Sequence, residues 1–118
     1  MTLTDCYSLF GGNFKEVSDR LQSDALIQKY LIKFADLNEF DTLRDALKQE
    51  DYDKAALTAY SIMVSSLHLG FPLLQKSAGQ LCAALDSHNI KDIEPLMGKA
   101  QAEYDTVCDA IRQYAVSL

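Results

Sequence analysis

The stretch Asp51–Gly70, DYDKAALTAYSIMVSSLHLG, decides the fold. It reads as one helix that is apolar on more than one face. Ala55, Ala56, Ala59, Ile62, Met63 and Ser66 follow helical spacing and form a narrow stripe of small residues. Small residues let neighbouring helices approach closely, which places this helix at the centre of a bundle. A second stripe holds Ala56, Tyr60, Met63, Val64 and Leu67. One helix cannot easily turn both stripes to a single partner. Either neighbours wrap it, or the second stripe lies partly exposed.

Before this helix, the chain is punctuated into shorter ones. Thr2 or Thr4 caps a first helix over 5–10, stopped by Gly11-Gly12. Asn13 opens a second, with Phe14, Val17 and Leu21 inward. Ser23-Asp24 starts a third, in which Leu26, Ile27, Tyr30, Leu31 and Phe34 recur at three and four residues. After Asn38, the residues Phe40, Leu43, Ala46 and Leu47 form the apolar side of a helix ending near Gln49. Acids at 50–53 then suit the start of the organising helix, where the macrodipole favours them.

Past the organising helix, Gly70 is a C-terminal stop and Phe71-Pro72 begins the next helix, with Pro in its first turn. Leu73, Leu74, Ser77, Leu81, Cys82 and Leu85 give that helix its core face, while Ala78, Gly79, Ala83 and Ala84 admit a close neighbour. Ser87-His88-Asn89 is a turn. Pro95 lacks an N–H and is harmless only in a first turn, so Asp92 is the expected N-cap of the last helix. Starting at Asn89 would add a turn at the cost of a kink. Leu96, Met97, Ala100, Tyr104, Val107, Cys108, Ile111 and Tyr114 line the last helix, and Tyr30, Tyr52, Tyr104 and Tyr114 fit core edges with hydroxyls reaching solvent.

No strand pattern or internal repeat appears. The expected fold is all-α, an antiparallel up-down four-helix bundle whose body starts near Ser23, Asp51, Phe71 and Asp92. The chain reads as one domain over 1–118, with short capping helices over 1–22 and the bundle over 23–116. At 118 residues a domain buries roughly 65% of its unfolded surface, enough for one continuous core.

Charge narrows the partners. Eleven Lys and Arg stand against seventeen Asp and Glu, and the scattered lysines form no basic stripe. Nucleic acid is therefore not an expected partner. No apolar run reaches the length of a membrane span, and the N-terminus is not built as a signal peptide. Cys6, Cys82 and Cys108 are odd in number and unclustered, which fits reduced thiols in a cytoplasmic protein and no zinc site. Cys82 and Cys108 occupy apolar helical positions and read as core. Asp51 and Asp53, and Asp36, Glu39 and Asp41, are explained by helix starts. No phosphate-binding glycine loop, nucleophile signature, metal cluster or cofactor motif is present, so an enzyme is not expected.

The central helix resembles that of the histidine-containing phosphotransfer (HPt) domains, small acidic helical bundles with a helix reading roughly A-H-x-L-K-G-x-S-x-x-x-G. Residues 59–70, AYSIMVSSLHLG, align with it without gaps. Ala59 matches, Ile62 stands for the Leu, and Ser66 and Gly70 lie near the family's Ser and Gly. Leu81-Cys82-Ala83-Ala84-Leu85 is similar to a downstream L-x-x-x-L/E stretch, and Ala46-Leu47 with Asp51 and Asp53 to an upstream one. The likeness spans about 34–111.

The family's chemical centre is replaced. The acceptor His, the Lys that holds the phosphoryl group and the Gly that clears space for it correspond to Tyr60, Met63 and Val64. A neutral imidazole attacks an acyl phosphate near pH 7. A phenol is almost wholly protonated there and needs a base. The resemblance thus implies a phosphorelay context without the transfer step. The remaining histidines are His68 and His88. His68 stands about 80° around the helix from Tyr60 and about 12 Å along it, without a Lys or Arg three or four residues beyond. It is a displaced acceptor or a structural histidine, and His88 lies in a turn.

Three readings follow. In the first, Tyr60, Met63, Val64, Leu67 and Phe71 form an exposed apolar patch that docks a response-regulator receiver domain or a sensor histidine kinase. In the second, His68 is an active acceptor. In the third, the patch closes against a second copy as a homodimer. The competing expectation is that the N-terminal helices, through Leu9, Phe10 or Phe14, fold over the patch.

Overall fold

The capping residues set the helix boundaries. The computed structural model describes residues 1–118 and contains seven α-helices and no strand. They are α1 (Leu3–Ser8), α2 (Phe14–Leu21), α3 (Asp24–Asp36), α4 (Glu39–Lys48), α5 (Tyr52–Leu69), α6 (Pro72–Asp86) and α7 (Ile90–Val116). Thr2 caps α1 through a reciprocal pair with Asp5, so α1 starts and ends two residues earlier than the sequence spacing predicts. Asn13, Ser23 and Asp51 each accept a bond from the backbone N–H three residues on, which fixes the starts of α2, α3 and α5. Gly70 ends α5 at φ +78°, a left-handed conformation that glycine adopts without a side-chain clash.

The start of α7 differs from the Asp92 expectation. The cap is Asn89, whose amide donates to the Asp92 carboxylate at 2.7 Å, and Pro95 sits inside the helix. The missing N–H leaves the Lys91 carbonyl without its usual partner. Lys91 and Pro95 are both exposed, so water is at hand there.

Short turns at Gly70–Phe71 and Ser87–Asn89 bring α6 alongside α5 and α7 alongside α6. α4 packs on α5, and α3 rests on α7 while meeting α5 at few residues. At about 1.5 Å per residue, the 27 residues of α7 set the 40 Å long axis of the molecule. Five residues of the small-residue stripe of α5, Ala55, Ala56, Ala59, Ile62 and Ser66, lie in the core, and the sixth, Met63, is half-buried.

An aromatic chain runs through that core. Phe10 meets Phe71 at 5.1 Å between ring centroids, and Phe71 meets Phe34 at 5.2 Å. Phe34 meets Tyr104 at 5.5 Å, and Tyr104 meets Phe40 at 5.3 Å. Two tyrosines are therefore deeper than expected. Tyr104 is buried, and Tyr114 is buried with its hydroxyl donating to Gln28 Oε1. Tyr30 is exposed and Tyr52 half-buried, as a core edge requires.

Candidate functional site: the open face of α5

The C-terminal carbonyls of α5 are taken up by the N-terminal helices. Arg20 donates to the carbonyls of Leu67 and His68, the Tyr7 hydroxyl to that of Leu69, and the Asn13 N–H to that of Gly70. These groups would otherwise be orphans of the last turn. α1 and α2 are thus pinned to the end of α5, where Tyr7, Phe10 and Phe71 pack together. They cover that end and leave the helix open farther back.

The predicted patch divides accordingly. Phe71 is 1% exposed, inside the aromatic chain, and lines no surface; its place directly after the Gly70 turn points it inward. Met63 is half-buried and turned towards α6, where a Cβ on Gly79 would stand 3.2 Å from its sulfur. Tyr60 is 54% exposed, Leu67 47% exposed and Val64 partly exposed. Leu57, one turn earlier and absent from the predicted patch, is 71% exposed. Its signal was its spacing: Leu57, Tyr60, Val64 and Leu67 recur at three, four and three residues, the pattern of a helix-packing seam.

Two concavities flank this seam. On the α6 side, Tyr60 lines a crevice of about 420 Å³ with Asp53, Ala56, Leu57, Cys82 and Asp86. It holds two carboxylates and no Lys or Arg. Cys82 is half-buried rather than core, and burial followed by the nearby Asp86 carboxylate raises its thiol pKa.

On the α3 side lies a groove of about 680 Å³. Its walls are Tyr30 and Lys33 of α3 and its C-cap Leu37 against Ser61, Val64, Ser65 and His68 of α5, and Phe34 and Leu69 form its buried floor. Arg20 stands at one end. Glu39 stands in the wall too, accepting a hydrogen bond from the Ser61 hydroxyl at 2.7 Å. His68 is exposed. The cations missing three or four residues beyond it arrive from α2 and α3, a convergence that linear spacing does not reveal. Tyr60 and His68 therefore face different concavities on opposite sides of the seam. His88 is exposed in its turn, its ring 5.4 Å from that of Tyr52.

No three His, Cys, Asp or Glu side chains converge as a metal site, and no helix is long and apolar enough to cross a membrane. No protein-family model matches the chain, and no curated protein or solved structure matches it.

Proposed function

We propose that this protein is a docking module of phosphorelay type, with α3, α5, α6 and α7 as an HPt-like four-helix body. It engages a receiver domain or a sensor histidine kinase through Leu57, Tyr60, Val64 and Leu67 and passes no phosphate. The observation that carries this reading is the apolar seam, left open where the helix resembles the phosphotransfer pattern. Tyr60, which aligns with the family's acceptor, shares its crevice with Asp53 and Asp86, whose charge opposes an incoming phosphoryl group. No cation lines that crevice to stabilise a phenolate or to hold a phosphoryl group.

One observation favours the second reading, transfer to His68. The exposed imidazole shares its groove with Arg20 and Lys33. In that reaction an imidazole nitrogen bonds to the phosphorus of a receiver's aspartyl phosphate. The bond from phosphorus to the aspartate oxygen breaks, its electron pair returns to the carboxylate, and the ring proton leaves to water. Against it, Arg20 is already engaged with Glu16 and with the α5 carbonyls.

The test is a transfer assay with receiver domains phosphorylated on their aspartates, reading acid-labile phosphate on this protein. The docking reading expects a complex without label. Label on the wild type that vanishes in His68→Ala establishes the second reading instead. No label and no complex overturns both, and a dimer by sedimentation would then assign the seam to a second copy.

A further inference from the structure

We infer that the groove between α3 and α5 is a binding site for a small amphiphilic organic anion, an apolar body carrying one carboxylate- or sulfonate-like head. The inference stands apart from the docking reading, because it concerns the α3 side of the seam and needs no protein partner.

The groove's dimensions come first. Its α5 wall runs from Ser61 to His68, eight residues and about 10 Å of helix. Its volume of about 680 Å³ lies within the range of small-molecule sites. α3 and α5 stay apart here because α3 leans on α7, and the α5 positions facing the gap include Ser61 and Ser65, too small to fill it. Phe34 and Leu69 supply an apolar floor, with Leu21 and Val64 beside it.

Charge selects the head group. The chain carries a net charge of −6, and the groove holds two cations, Arg20 and Lys33, with Arg20 already paired to Glu16 and Glu39 the one carboxylate in the lining. Glu39 is already hydrogen-bonded by Ser61, and Lys33 belongs to none of the ion pairs. An unpaired lysine in an acidic protein, set beside an apolar floor, matches a ligand with an anionic end and an oily body. Lys33 on α3 and the imidazole of His68 on α5 stand on facing walls and supply N–H donors from both sides. Arg20 holds the α5 end of that wall in place through its two carbonyl bonds.

The experiment titrates the intact protein with 8-anilinonaphthalene-1-sulfonate and maps its ¹⁵N amide shifts. The control is N-phenyl-1-naphthylamine, the same aromatic body without the sulfonate. The expected result is saturable binding with shifts centred on Tyr30, Lys33, Ser65 and His68. Affinity should fall about tenfold for the neutral control and about tenfold in Lys33→Glu, and survive in Lys33→Arg. Lys33 is exposed, so both variants fold. No saturable binding, equal affinity for the neutral control, no effect of Lys33→Glu, or shifts confined to Leu57 and Tyr60 would each overturn the assignment.

Discussion

The Tyr7 hydroxyl donates a 2.6 Å hydrogen bond to the carbonyl of Leu69, joining the first helix to the last turn of the central one across 62 positions of sequence. The bond is buried, and burial holds the phenol well above its usual pKa, so it remains a donor at neutral pH. It decides which part of α5 is closed and which is open. Tyr7→Phe keeps the ring and removes the donor, leaving a buried carbonyl unpaired. The expected loss is about 1–2 kcal/mol, measured by urea unfolding, with little change in helical content.

Gly70 is a tight point of that junction. A Cβ there would come within 2.5 Å of Val17 Cγ2 and 3.0 Å of the Asn13 carbonyl, in a backbone conformation L side chains rarely adopt. Gly70→Ala is expected to cost more than about 2 kcal/mol, since overpacking and left-handed strain add. Gly79→Ala meets only the flexible end of Met63 and should cost less. Thermal unfolding of the two variants side by side checks the order.

Pro95 interrupts the hydrogen-bond ladder of α7. Pro95→Ala restores an N–H for the Lys91 carbonyl and should raise stability by about 1–3 kcal/mol. Chemical denaturation reads this directly; an unchanged midpoint would mean that the proline's stiffening of the unfolded chain offsets the bond.

Cys6 and Cys108 give the fold a defined alkaline limit. Burial pushes both thiols up from an ordinary value of about 9 to about 11. The folded protein thus binds protons that the unfolded chain releases. Their contribution to stability is fully present below about pH 9 and is lost as pH rises to about 11. Replacing both by Ala should flatten that part of the stability profile.

Cys82 should react first with a disulfide reagent at pH 8, because Cys6 and Cys108 are buried and it is not. Its thiol pKa is raised by burial and then by Asp86. Asp86→Asn should therefore speed its modification, followed by thiolate release in stopped flow.

The helices were legible because their signals are local. Ser23, Asn13 and Asp51 cap where their side chains reach a backbone N–H three residues on, and Gly70 ends α5 where the chain must turn left-handed. Asn89 was harder, because the penalty for Pro95 inside a helix is paid at an exposed carbonyl that water can reach. The site was only half legible. Leu57 follows the spacing of Tyr60, Val64 and Leu67, but the alanines around it draw attention to the buried stripe. Phe71 has no helical phase after a left-handed glycine, so nothing in the linear pattern says whether it points in or out. The meeting of Arg20 and Lys33 with His68 depends on how α2 and α3 lie across α5, a tertiary fact with no signature in the spacing of any one helix.

Docking through the α5 seam is the proposal that the open helix face supports. The direct measurement is an amide-shift titration of ¹⁵N-labelled protein with receiver domains, repeated with Leu57→Glu and Leu67→Glu. Both positions are exposed, so these changes should move stability by less than about 0.5 kcal/mol. The account predicts shifts centred on residues 57–67 that disappear in both variants. Binding that persists in both variants, or shifts that fall elsewhere on the protein, would contradict it.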